Sequence, residues 1–172
     1  MKIYRLLFVV LFFSCWPLYA ATTNGTTVII KGQIKAAACI VNAGSPDLSV
    51  NMPPYSANKF RAPGEVSDTS SPFQIMLTRC PLTTQSVKVK FDGASSNGYL
   101  TLDASSKGGG IGIAIYDSTN KLIPLGSQSD AYPIDAITGF ATLSFFARYV
   151  ALTLPVQPGM VQATATFTLN YF

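Results

Sequence analysis

The sequence predicts an all-β sandwich, immunoglobulin-like in kind, on three observations. Apolar side chains recur at every second position in run after run, the pattern of a half-buried strand. Turn-forming Gly, Pro, Ser and Asn separate these runs at short intervals. Helical periodicity is almost absent.

The elements follow in chain order. Residues 1–20, MKIYRLLFVVLFFSCWPLYA, read as a secretory signal peptide: Lys2 and Arg5 supply the charged end, Leu6 to Trp16 the apolar run, and Ala20 the cut. The run is too short to span a bilayer comfortably. No second run approaches that length, so the expected product is soluble and exported. Residues 21–34 form an arm that begins small and polar and ends in alternation. Val28, Ile30, Gly32 and Ile34 point one way; Ile29, Lys31 and Gln33 point the other. Its plain reading is the first strand of the sandwich; its sharper reading is a strand that pairs elsewhere. Residues 35–172 are the single domain.

Within that domain, FQIMLTRC puts Phe73, Ile75 and Leu77 on one face. VKVKFDG sets Val87, Val89 and Phe91 against Lys88 and Lys90. GYLTLDA follows a Ser/Asn/Gly turn, and GIGIAIYD brings Ile111, Ile113 and Ile115 together. ATLSFFARYVALTL is long enough for one extended strand or two short ones. The proline-rich stretch at 51–72 predicts a long surface loop with at most one helical turn. The last strand, ATATFTLNYF, alternates to the final residue. Chain ends are usually frayed, so this one asks for a partner.

Composition excludes several functions. The net charge is +4, and +2 once Lys2 and Arg5 are removed (4 − 2); nucleic-acid binding needs a clustered basic face. There is no histidine, so the commonest general base is missing. The string Ser56–Lys59 matches a Ser-x-x-Lys motif only as letters. SKGGGIG lacks the Gly-Lys-Ser/Thr of a phosphate loop and precedes a strand rather than a helix; a turn explains it. The eight acidic residues are scattered, with Asp117 placed to cap a turn. Neither a metal nor a cofactor is expected, and the chain does not read as an enzyme. Cys15 lies in the signal peptide. Cys39 and Cys80 remain, and two cysteines in an exported chain most often form a bridge. A metal or redox site is the alternative, disfavoured by their separation and the missing histidine.

Taken together, these runs resemble the subunits of chaperone–usher fimbriae of the type 1 pilus kind. FQIMLTRC is similar to that family's F-x-I-x-L-x-x-C, which carries the second bridge cysteine, Cys80; CIV at Cys39 is similar to the first. FDG, GYLTL, GIGIAIYD and LIPLG follow in the family's order, and FFARYVA resembles its F-x-A-x-Y strand. Gly159 stands fourteenth from the C-terminus, and Tyr171 is a penultimate tyrosine, as in the family's ending.

The resemblance implies an incomplete immunoglobulin-like sandwich that lacks its last strand, with residues 21–34 as an N-terminal donor strand. Val28, Ile30, Gly32 and Ile34 would be the donor face. Gly159, Ala165, Phe167, Leu169, Tyr171 and Phe172 would form the groove edge that chaperone and donor both pair with. The implied partners are a periplasmic chaperone, an outer-membrane usher and neighbouring subunits, with a host receptor reached through the assembled fibre. The implied route runs through the periplasm to the surface fimbrium.

The expected function is thus a structural fimbrial subunit polymerising by donor-strand exchange and supporting adhesion. A minor adaptor, a terminator or a carbohydrate-binding subunit are the alternatives. Cys39 lies 19 residues beyond Ala20 (39 − 20), which leaves no room for a separate lectin domain. Tyr55, Phe60 and Tyr132, in loop-like stretches, are the candidates for direct receptor contact; packing onto the sandwich is their plainer reading.

Overall fold

The computed structural model describes residues 38–42 and 48–172. The signal peptide and the arm, including Val28, Ile30, Gly32 and Ile34, lie outside the described residues. Nine strands occur among those described: β1 (Ile40–Val41), β2 (Ser71–Thr78), β3 (Ser86–Gly93), β4 (Ser95–Ser96), β5 (Tyr99–Thr101), β6 (Ile111–Asp117), β7 (Tyr132–Pro133), β8 (Ala141–Ala151) and β9 (Ala165–Tyr171). They form a six-stranded sheet in the order β1-β2-β8-β6-β5-β4 and a three-stranded sheet in the order β7-β3-β9. Every strand pairing is antiparallel.

The alternation read from sequence sets which side chains face the core. Ile75 and Leu77 of β2, Val87, Val89 and Phe91 of β3, and Leu143 and Phe145 of β8 are buried between the sheets. Phe145 anchors the middle, meeting Phe91 edge-on at 5.2 Å and Phe73 at 5.3 Å. Such ring pairs add to what burial alone contributes. ATLSFFARYVALTL gives one strand, β8, running unbroken for eleven residues. Ile111, Ile113 and Ile115 divide: Ile115 joins the main core, while Ile111 and Ile113 pack with Phe60, Tyr149 and Ala151 in a second cluster.

Turn chemistry fixes the connections. Asn97 and Gly98 take positive φ of 53° and 81° between β4 and β5, the pairing a tight hairpin demands. Asp117 closes the turn after β6: its Oδ1 accepts from the Thr119 N–H at 2.8 Å, the Thr119 hydroxyl at 2.7 Å and the Lys121 N–H at 2.9 Å. Burial pushes its carboxyl up, but those bonds and the Lys121 charge outweigh burial and hold it below the usual carboxylate range. The proline-rich loop contains a single 3-10 turn, Ala57–Lys59.

The sandwich has two ends of different character. At the disulfide pole, Cys39 is bonded to Cys80, and the Cys80 N–H donates to the Gly139 carbonyl at 3.0 Å. At the glycine pole, residues 107–110 lie against residues 153–161. There Lys107 N–H donates to Met160 at 2.7 Å, and Gln157 N–H donates to Gly109 at 2.9 Å.

A candidate subunit-binding cleft beside the last strand

The two edges of the three-stranded sheet are treated differently. On one side β3 is covered. Ser129 N–H donates to the Val89 carbonyl at 2.7 Å, Gly126 N–H to the Phe91 carbonyl at 2.8 Å, and the Ser129 hydroxyl accepts from the Val89 N–H at 3.0 Å. On the other side, β9 stands at the sheet edge. The other edge strands, β1, β4 and β7, have two residues each, whereas β9 has seven. Short edges are a common protection against unwanted pairing. Among the described residues nothing protects β9.

Its side chains record the same asymmetry. β9 pairs with β3 in the register Phe91↔Phe167, Val89↔Leu169 and Val87↔Tyr171. The β3 partners are buried, yet Phe167, Leu169 and Tyr171 are only half-buried, although they face the same way. Thr166 and Thr168, on the opposite face, are exposed. A strand whose inward row stays half in water lacks a neighbour. Beside it lies a cleft of about 640 Å³ between the sheets. Phe73, Ile75, Ile113 and Ile115 line it from the larger sheet, and Phe91 and Phe167 from the smaller. Residues 48–52 and 161–165 complete the lining.

The sequence-predicted edge residues separate into three groups. Ala165, Phe167, Leu169 and Tyr171 lie on β9. The Tyr171 hydroxyl is raised by burial, offset in part by a hydrogen bond from the Cys39 backbone. Phe172 follows β9 yet continues its ladder: its N–H donates to Ser86 at 3.0 Å, and its carbonyl accepts from Gln85 at 2.8 Å. Lys88 Nζ sits 5.4 Å from the centre of its ring. The chain thus stays paired to its last residue. Gly159 is elsewhere: it lies before β9, packed against Lys107 and Gly108, where a side chain would meet their backbone. It therefore precedes β9 in the chain and packs at the glycine pole.

Residues 48–52 were not marked by the sequence as cleft lining. Their polar and proline-rich surroundings hide a Leu, a Val and a Met. The candidates for receptor contact are engaged in packing. Phe60 is buried, Tyr55 lies 5.2 Å from it, and Tyr132 packs edge-on to Phe145 at 5.5 Å. Burial, with the charges of Asp117 and Asp130, pushes the Tyr132 hydroxyl up to about 12. The Ser56 hydroxyl donates to Asn58 at 2.8 Å, and Lys59 pairs with Asp68 at 3.2 Å, so that string makes no catalytic pair. Among the described residues no cluster of His, Cys, Asp or Glu has the makings of a metal site.

An open strand edge above an apolar cleft is the feature to compare with known proteins. The profile of the fimbrial protein family matches residues 28–172. The chain belongs to the fimbrial protein family. It is 34% identical over 159 residues to the type-1 fimbrial protein A chain of Escherichia coli K12, covering 88% of this chain and 86% of that one. The crystal structure of the Burkholderia pseudomallei antigen and type I fimbria protein BPSL1626 is 30% identical. It superposes with a TM-score of 0.59 over 80% of this chain and 91% of that one. A subunit in the structure of a chaperone–usher pilus is 25% identical, with a TM-score of 0.59 over 86% of this chain and 96% of that one. As a family member this chain is a structural fimbrial subunit and not an enzyme.

Proposed function

We propose that this fimbrial subunit polymerises by donor-strand exchange. The observation that carries the reading is the half-buried inward row of β9 beside an apolar cleft, with the outer edge of β9 unpaired among the described residues. An extended strand laid against β9 would satisfy the edge's backbone groups. Its alternate side chains would fill the cleft, the mode by which β-augmentation combines affinity with specificity. The arm, residues 21–34, is the donor for a neighbouring subunit, with Val28, Ile30 and Ile34 as the filling side chains and Gly32 where backbones approach closely. Each filled position contributes about 1.5–3 kcal/mol when fully buried, offset in part by ordering the arm.

The same edge needs cover before assembly, since an open strand beside exposed apolar surface invites aggregation. A periplasmic chaperone supplies that cover, and an outer-membrane usher takes the subunit to the surface fimbrium. The chaperone–usher pilus among the similar structures supports this route. Adhesion follows from the fibre as a whole.

Deletion of residues 21–34, with the signal peptide retained, tests the assignment. The shortened subunit should still accept a donor but be unable to give one. It should therefore cap fibres and never occupy internal positions. Immunogold labelling of mixed fibres that found it along the shaft would refute the arm's role.

A further inference from the structure

The chain that becomes β9 changes partner at one point, and a carboxylate marks it. The β3–β9 ladder ends at Gly93↔Ala165. Just before it, residues 160–164 lie instead against residues 103–107, which follow β5 of the larger sheet. Asp103 N–H donates to the Gln162 carbonyl at 2.8 Å. The Asp103 side chain then grips Thr164: Oδ1 accepts from the N–H at 3.2 Å and Oδ2 from the hydroxyl at 2.8 Å. Ser106 adds a second hold. Its hydroxyl accepts from the Gln162 N–H at 3.0 Å and donates to the Gln162 carbonyl at 3.1 Å. Asp103 joins no ion pair among the described residues, and both its carboxylate oxygens serve this contact.

The grip is on the wet side of the segment; the other side faces the cleft. Gln162 and Thr164 are exposed, whereas Val161 and Ala163 are half-buried, and both line the cleft beside β9. Leu100 and Leu102, on the chain leading to Asp103, line it too. Left free, such a segment would settle into the cleft. Burial of half-wet apolar side chains is favourable, and a void forfeits contacts along its lining. The cleft instead keeps about 640 Å³.

We propose that the Asp103–Thr164 clasp holds the cleft open, which makes Asp103 a positioning residue for acceptance of a donor strand. The inference rests on the polymerisation reading above. Asp103 acts through residues 161–165 and not by reacting with anything. A cleft already open when the strand arrives spares binding the cost of reopening it. A cleft open only part of the time weakens apparent affinity by the open fraction.

The test uses the exported chain with its own arm intact, dilute enough that subunits do not pair, and a fluorescent peptide spanning residues 21–34. Association and dissociation are followed by anisotropy in stopped flow. Asp103→Ala should weaken binding about tenfold if one cleft in ten stays open. The loss should fall on the association rate, because a bound strand itself keeps the cleft open and dissociation stays near wild type. Thr164→Val removes the hydroxyl contact alone and should lose less. The double variant should lose no more than Asp103→Ala, since both changes act through one clasp. Should Asp103→Ala not fold, Thr164→Val decides alone, by its association rate. Wild-type association in the variants, a loss confined to dissociation, or additive losses would overturn the clasp and leave strand exchange standing. A wild-type chain that binds no peptide would overturn both.

Discussion

At Gly159, Lys107 O lies 2.8 Å from where a Cβ would be, and the Lys107 carbonyl carbon lies 2.5 Å away. Both are backbone atoms held by the hydrogen bonds of the glycine pole, so neither can swing aside. Gly159→Ala should therefore destabilise the domain by about 1–3 kcal/mol, as overpacking does. Gly109 is the control. Nothing lies closer than 3.6 Å to its virtual Cβ, and Gly109→Ala should stay within about 0.5 kcal/mol of wild type. Equal denaturant midpoints for the two variants would refute the close-packing account. The family resemblance groups Gly159 with the groove edge, and in the fold it lies before β9. Its constraint comes from a loop some fifty residues earlier, and no local pattern reports such an approach. The same holds for the glycine cluster before β6. It was read as a turn, and its further reason, backbone packing against residues 153–161, is non-local. Asp117, by contrast, was legible as a turn cap because its partners are two and four residues away.

The strands were legible wherever one face is buried and the other wet. β2, β3 and β9 alternate in sequence and alternate in burial. Periodicity is silent on the degree of burial, and that is where β3 and β9 part. Their inward rows read alike, yet Val87 and Val89 are closed off while Leu169 and Tyr171 are not. Only the missing neighbour makes the difference. If the inward row of β9 awaits a donor, Leu169→Ala should weaken binding of a peptide spanning residues 21–34 by about tenfold, roughly 1.4 kcal/mol. Thr168→Ala, on the exposed face, should leave the affinity nearly unchanged. Titration calorimetry showing equal losses for both would mean that the peptide does not read the alternation of β9.

For the whole molecule, an unfilled cleft means that stability depends on what occupies it. The domain already has one covalent constraint: the Cys39–Cys80 bridge spans 41 residues, worth about 4 kcal/mol in the chain-entropy model. That constraint acts chiefly on the unfolded chain and does nothing for the open edge of β9. A donor acts on the folded state alone, so it should stabilise by mass action. At a peptide concentration one hundred times the dissociation constant, the gain is about 2.7 kcal/mol. For a domain of this size that raises the unfolding midpoint by about 10 °C. The measurement uses residues 35–172, prepared in an oxidising compartment, with and without the 21–34 peptide. Without peptide the domain should aggregate readily and melt low. With it, the midpoint should climb with peptide concentration, as linkage requires. Reduction of the disulfide should lower both midpoints without abolishing their difference, because bridge and donor act on opposite ends of the equilibrium. A soluble domain whose melting ignores the peptide would mean that the sandwich is already complete, and strand exchange would fall with it.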